Sequence, residues 1–481
     1  LSHISFITVD FSSQPTILPM NKFLFWFAFI VSIPFAQAQE PLPTQIQTYF
    51  ERIQKEFPTE KAYLHLDKRT YTLGDDLWFS AYLTAGSRQI PSPLSKTLYV
   101  DIFDGDGLLL EQRKVQMETG RGKGDFKIPR FGKAGQYQIK AYTAWMRNFG
   151  EEYFFTTQFT VVDADGGSFL PNVRFTEIAS SDGKARYSTK VIAASQGGNP
   201  LANQPIEVIV WGDQEELYRQ EVSLNGQGEV SFSFSIPEKP YSSQHLELIY
   251  LENGDYPVSK KIAIPYSLNL VDVQFLPEGG HWVIGKKSVV AFRAVAPDGN
   301  PVDVYGSIGG QEFRTTFGGM GKIELTPEQA DYQAEVTHPF SGQNKTINLP
   351  KADSEGFAMQ VVNNPTASFI TALVQGTQSG QNLILVSQTR SLINYMIQGS
   401  LTNGVWGVRI PKENLIDGIN HLTVLTEDGK PLLERLIFVQ KEEIDLDLVK
   451  SGNLTSRGKL SLSLSSSVEG TPIPGSFSIS V

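Results

Sequence analysis

Six histidines and no cysteine bound the chemistry open to this chain. His3, His65, His245, His281, His338 and His421 stand apart, none within four residues of another, so no His-x-x-x-His zinc pair exists. Without cysteine there are no disulfides, no thiolate metal sites and no cysteine nucleophile. His65 lies beside Asp67 and reads as a half-buried strand histidine. His281, between a Gly-Gly turn and Trp282, reads as packing. The run from Gly280 to Ser288 falls one position short of a phosphate-binding loop, and the segment after it is strand-like, so no helix N-terminus would face a phosphate. Asp104-Gly105-Asp106-Gly107 alternates carboxylates as a calcium loop does. Position 12 of such a loop is Val115 rather than a bidentate Glu, so a hairpin turn is expected. No Gly-x-Ser-x-Gly elbow occurs. The pairs Asp75-Asp76 and Glu151-Glu152 are adjacent and point to opposite strand faces, which does not suit concerted acid/base work. The expectation is a non-enzyme with no catalytic residue, no metal ligand and no cofactor.

Recognition is the remaining chemistry. Tyr142, Trp145, Phe149, Tyr153, Phe154 and Phe155 cluster around one connection, with Met146-Arg147 among them. Aromatics and Arg are favoured at interfaces, so Tyr142, Trp145, Arg147, Phe149 and Tyr153 form a candidate partner surface. Packing between domains is the other reading of the same residues.

The elements that must position these residues are strands. Leu77, Phe79, Ala81 and Leu83 alternate with Trp78, Ser80 and Tyr82; Leu98, Val100 and Ile102 alternate with Tyr99 and Asp101; Tyr137, Ile139 and Ala141 alternate with Gln138 and Lys140. This period of two puts one face on a core and the other toward solvent. Punctuation such as Asp104-Gly105, Asn225-Gly226, Asp298-Gly299, Asn403-Gly404 and Asp428-Gly429 suits antiparallel hairpins. Only residues 44–57, with Ile46, Phe50, Ile53 and Phe57, show helical spacing, and this helix is expected to pack on the first domain.

A repeat organises the strands. Gly124-Asp125-Phe126, Gly228-Glu229-Val230, Gly321-Lys322-Ile323 and Gly407-Val408 each read as a glycine turn leading into an outer strand, with a proline break after it. The markers Phe126, Val230, Ile323 and Val408 are 104, 93 and 85 residues apart, the size of one sandwich domain. The expected fold is therefore all-β, tandem antiparallel β-sandwiches of immunoglobulin-like size. The divisions are 39–57 helix and linker, 58–164, 168–267, 268–352 and 355–442 as four sandwiches, and 444–481 as the start of a fifth. Asp163–Gly167 and Lys351–Gly356 are candidate linkers.

The chain has 481 residues, 41 Lys+Arg against 51 Asp+Glu, and a net charge of −10. That balance does not fit a nucleic-acid footprint, so no nucleic-acid partner is expected. Met20-Asn21-Lys22 precedes an apolar run from Phe23 to Phe35 and then Ala36-Gln37-Ala38. This is the pattern of a signal peptide over 20–38, cut between Ala38 and Gln39, with 1–19 read as an upstream extension. No second apolar run follows, so no transmembrane helix is expected after its removal. Export without cysteine suits the periplasm or outer-membrane surface of a Gram-negative bacterium.

The segment Leu64–Phe79, with Asp67, Lys68, Tyr71, Gly74 and Asp75 in order, resembles the domain entry of alpha-2-macroglobulin-type proteins. Phe275-Leu276-Pro277-Glu278-Gly279-Gly280 resembles a segment of large bacterial envelope proteins with macroglobulin-like repeats. The likeness covers about residues 58–440. It implies an envelope scaffold or binding protein that engages a protein partner, possible partners being a protease or an outer-membrane receptor. It equally implies a macroglobulin-like endopeptidase inhibitor, here without the Cys–Gln thioester. Some proteins of this group carry a TonB-receptor plug-like domain beyond the repeats, which implies a third reading, a module of TonB-linked uptake.

Overall fold

The computed structural model describes residues 40–105, 107–162, 169–195, 197–252, 256–441, 444–452 and 459–480. The signal segment with Ala36, Ala38 and Gln39, as well as His3, Asp106 and the linker 163–167, lies outside the described residues.

The first sandwich contains β1 (Glu60–Leu66), β2 (Thr70–Thr72), β3 (Asp76–Ala85), β4 (Ile90–Pro91), β5 (Thr97–Phe103), β6 (Leu109–Gln116), β7 (Arg121–Lys127), β8 (Gly135–Tyr142) and β9 (Phe155–Val162). One sheet joins β1, β3 and β4, with β7 also on β3; the other runs β2-β9-β8-β5-β6, with β2 parallel to β9. Leu77, Phe79, Ala81 and Leu83 from one sheet and Leu98, Val100, Ile102, Tyr137 and Ile139 from the other share one core. The period-two alternation puts them there.

The second sandwich contains β10 (Leu170–Ser181), β11 (Lys184–Ala194), β12 (Pro205–Gly212), β13 (Glu215–Ser223), β14 (Glu229–Pro237), β15 (Gln244–Glu252) and β16 (Tyr256–Ala263). The third contains β17 (Asp272–Pro277), β18 (Ser288–Val295), β19 (Tyr305–Ile308), β20 (Gln311–Arg314), β21 (Met320–Leu325), β22 (Gln333–Thr337) and β23 (Asn344–Asn348). The fourth contains β24 (Phe357–Val362), β25 (Phe369–Gly376), β26 (Asn382–Thr389), β27 (Leu392–Ser400), β28 (Val405–Pro411), β29 (Gly418–Thr426) and β30 (Pro431–Val439). All three repeat one topology: β10-β11-β14 against β13-β12-β15-β16, then β17-β18-β21 against β20-β19-β22-β23, then β24-β25-β28 against β27-β26-β29-β30. Each has its own core. A final sheet holds β31 (Ile444–Gly452), β32 (Leu460–Val468) and β33 (Thr471–Pro472). The strand expected over Phe477–Val481 does not form in its described part; residues 473–480 carry no regular structure.

The repeat markers occupy one structural place. Phe126, Val230, Ile323 and Val408 lie on β7, β14, β21 and β28, opposite Leu77, Val191, Val290 and Ala372. The turn before each of these strands is not where three of the four glycine readings put it. Gly124, Gly321 and Gly407 lie inside strands; a Cβ on Gly124 or Gly321 would press on the ring of Phe79 or Phe292. The turns are made by Gly120, Gly228, Gly319 and Gly404, with φ of +70°, +74°, +72° and +76°. Their carbonyls accept from the N–H of Leu83, Ala193, Ala294 and Gly376 at 2.7, 2.8, 2.8 and 2.9 Å. A Cβ there would sit 2.4, 2.6, 2.4 and 2.9 Å from the carbonyl oxygen of those same residues. Left-handed backbone and close approach together require glycine at this place.

The helix also departs from expectation. α1 (Leu42–Glu56) packs on β27 of the fourth sandwich, not on the first. Leu42 reaches Gly429, and Gln54 Nε2 donates to the Ser391 carbonyl at 2.7 Å. The reason lies in the sheet it meets. Ile384 and Val386 alternate with the core residues Leu383 and Leu385, so they face outward, yet both are buried. An outward apolar face on that sheet needs cover, and the stripe of Leu42, Ile46, Phe50 and Ile53 can supply it.

Candidate protein-interaction surface

The Asp67–Asp75 motif is a structural latch at the entry to the first sandwich. Tyr71 is buried, edge-on to Phe159 with ring centres 5.3 Å apart. Its hydroxyl donates to Asp67 Oδ1 at 2.7 Å and accepts from the Lys68 N–H at 3.1 Å; Asp67 Oδ1 also accepts from the Trp78 N–H at 2.8 Å. Burial, and then the Asp67 carboxylate, hold the Tyr71 phenol well above its ordinary range. Asp75 Oδ2 accepts from the Thr72 N–H at 3.1 Å and lies 3.2 Å from Lys68 Nζ; the Thr72 bonds, with Lys68, lower its carboxyl. Gly74, at φ +87°, makes the turn into β3. The motif therefore fixes the chain as it crosses from one sheet to the other.

The second motif works between domains. Glu278, buried at the end of β17, accepts from the Val361 N–H at 3.2 Å and from Arg435 Nε at 2.9 Å, both in the fourth sandwich. Burial raises its carboxyl despite Arg435. Gly279 forms an isolated bridge with Glu434, and Trp282 packs on Tyr332.

The aromatic residues divide. Tyr142 is buried, stacked between Tyr99 and Phe154 at 5.6 and 4.5 Å, with its hydroxyl donating to Asp101 Oδ2 at 3.0 Å. Arg147 caps this stack, its guanidinium 5.0 Å from the Tyr142 ring and 5.6 Å from the Tyr99 ring. Trp145 Nε1 donates to the Pro58 carbonyl at 2.7 Å. These three residues pack the end of the first sandwich. Phe149 and Tyr153 lie 5.5 Å apart beyond them, and Tyr153 is 44% exposed.

Tyr153 opens onto a cleft of about 530 Å³ where the first and fourth sandwiches meet. Its lining includes Tyr153, Phe154 and Phe155 with Thr84, Gly86 and Gln89 from the first sandwich, and Arg390 and Ser391 from the fourth. Arg390 Nη1 donates to the Ser87 carbonyl at 3.1 Å and Nη2 to the Asp417 carbonyl at 3.2 Å. Arg390 and Ser391 form the two-residue loop between β26 and β27, with φ of +50° and +64°. Such a loop normally takes Asn-Gly. Glu60, buried in the cleft's lining, accepts hydrogen bonds from the hydroxyls of Ser92 (2.5 Å), Ser95 (2.6 Å) and Thr143 (2.6 Å). A wider depression of about 1100 Å³ on the third sandwich is lined by Glu312, Arg314, Lys322 and Glu335. Tyr305 and Phe313 also line it, but its other side chains are largely charged or hydroxylated, and it reads as a solvated face of one sandwich.

The histidines stay scattered. His65 contacts Ser478, His281 lies 3.5 Å from Asp353 on the surface, and no group of three potential metal ligands occurs among the described residues. Among the described residues, no helix is long and apolar enough to cross a membrane. Sequence reasoning found Tyr153 and missed Arg390, Ser391 and Glu60. Arg390 stands 303 positions from Ser87, and no local pattern links them.

No family model matches the chain, and no curated protein matches it. Solved structures similar to it include Escherichia coli alpha-2-macroglobulin in its native conformation (14% identity, TM-score 0.36, 86% of this chain and 31% of that one). The trypsin-activated Escherichia coli protein gives 13% identity, TM-score 0.37, 86% and 33%. Salmonella alpha-2-macroglobulin reacted with methylamine gives 13%, 0.36, 86% and 32%. The chain spans about a third of the length of these proteins, and its all-β sandwich fold stands on the strand orders themselves.

Proposed function

We propose that this chain is an exported, non-enzymatic scaffold of the cell envelope that holds a protein partner in the cleft between its first and fourth sandwiches. The observation that carries the reading is the cleft itself, which Tyr153, Phe154 and Phe155 of the first sandwich line together with Arg390 of the fourth. Tyr and Arg anchors in a concave site are the usual carriers of binding energy in protein interfaces. The signal pattern over 20–38 supports export, to the periplasm or the outer-membrane surface. The test is a photo-reactive residue placed at exposed Thr156, on the cleft, in cells expressing the full chain, with Gln220 on the second sandwich as control. A discrete adduct with one envelope protein at Thr156 alone supports the proposal. No adduct, or the same adduct at both positions, overturns it. A purified chain that entraps a protease after being cut would replace it with the inhibitor reading.

A further inference from the structure

The four sandwiches each end their larger sheet on an edge strand at the same topological place: β6, β13, β20 and β27. An exposed edge offers unpaired N–H and C=O groups to any other strand, and proteins guard such edges with charge or cover. β13 carries exposed Glu215, Glu216 and Glu221, β20 carries Glu312 and Arg314, and α1 packs on the sheet face at β27. β6 carries charge too, in Glu111, Arg113 and Lys114, but differs at its start. Leu108, Leu109 and Leu110 open it with 66, 49 and 37% exposure.

The backbone of β6 is set for pairing. The Met117 N–H donates to the Lys96 carbonyl at 2.9 Å, which fixes the alternation of the β5/β6 ladder. The N–H and C=O groups of Glu111, Arg113 and Val115 then point to β5, and those of Gln112, Lys114 and Gln116 point outward. Among the described residues, no strand pairs with that outer edge. The register is regular from Glu111 to Gln116 and shifts only at the Ile102/Phe103 step.

We propose that β6 pairs antiparallel with β6 of a second copy of this chain about a two-fold axis at Gln112, joining the two five-stranded sheets edge to edge. The sequence is self-complementary in this register. Glu111 stands opposite the second copy's Arg113, and Arg113 opposite its Glu111, twice over by symmetry. Leu109 stands opposite Val115, Leu110 opposite Lys114, and Leu108 opposite Gln116, so all three exposed leucines gain a neighbour. Within one copy Glu111 and Arg113 already pair at 2.7 Å, and in the dimer they join a four-charge array. Centring on Arg113 would instead oppose like charges. A strand pair of this length makes a small interface, so the dimer is weak, with Kd on the order of micromolar. The proposal stands apart from the cleft reading and uses none of its residues.

Sedimentation velocity of the purified chain over a concentration series tests it, with thermal unfolding of each variant as a control. The wild type should pass from monomer to dimer. Lys114→Pro removes one outward N–H, leaves the β5 ladder intact and should weaken the dimer at least about tenfold. Glu111→Arg should weaken it similarly, and Glu111→Arg with Arg113→Glu should restore it. A wild type monomeric up to on the order of 100 μM overturns the proposal, as does a dimer indifferent to Lys114→Pro. A monomer whose β6 takes up a strand from a different protein also overturns it.

Discussion

Arg390 reaches across from the fourth sandwich to donate to the Ser87 carbonyl of the first at 3.1 Å, from a backbone position where φ is +50°. Its neighbour Ser391, at φ +64°, offers its carbonyl to Gln54 of the N-terminal helix at 2.7 Å. One two-residue loop thus ties together three parts of the chain far apart in sequence, with both residues in the left-handed region. That conformation costs a non-glycine residue about 1 kcal/mol or more. Ser391→Gly should stabilise the fourth sandwich by roughly 0.5–1 kcal/mol in denaturant unfolding, since the Gln54 bond uses a backbone carbonyl glycine also has. Arg390→Ala should leave that stability nearly unchanged and speed amide exchange around Ser87.

The helix is a clasp on the fourth sandwich. Phe50→Asp puts a charge on its packed stripe and should uncover the outward face bearing Ile384 and Val386. Hydrogen exchange should then rise in β26 and β27 while the core of the first sandwich keeps its protection. Deprotection of the first sandwich instead would contradict the observed packing.

Gly319 tests the repeated turn. Gly319→Ala places a Cβ 2.4 Å from the Ala294 carbonyl oxygen in a left-handed conformation. The expected loss is about 1–3 kcal/mol in the third sandwich, read by denaturant unfolding. Gly310→Ala, also at positive φ but with open space around it, should cost about 1 kcal/mol.

His338 gives the third sandwich a pH dependence. It is buried, and its Nδ1 accepts from the N–H groups of Phe340 and Ser341 at 3.3 and 3.1 Å. Burial lowers its pKa below the ordinary 6.5, partly offset by Asp303. The unfolded chain therefore takes up the proton first. The contribution is present above pH 6.5 and is lost progressively as pH falls below it, through the folded value. His338→Gln should flatten that acid-side slope in unfolding measurements between about pH 7 and pH 5.

Much of the fold was legible because its causes are local. Alternation on β3, β5 and β8 is enough to assign Leu77, Val100 and Ile139 to a core, and the recurring marker strand gave the repeat. The turn glycines were misplaced by two to four residues in three copies, because a strand glycine that makes room for a ring looks the same in sequence as a turn glycine. The helix carried a readable apolar stripe but nothing to name its partner sheet. The aromatic cluster was visible as composition; which members pack and which face solvent depends on Arg147 folding back over Tyr142. Glu60 was invisible as a buried carboxylate, since its three hydroxyl partners come from segments up to 83 positions away.

Protein binding in the cleft beside Tyr153 is tested by titrating the envelope protein captured at Thr156, once purified, against the wild type and against Tyr153→Glu. The variant's Kd should be weaker by about tenfold or more, about 1.4 kcal/mol, with thermal unfolding unchanged. Equal affinity for the two chains would contradict it.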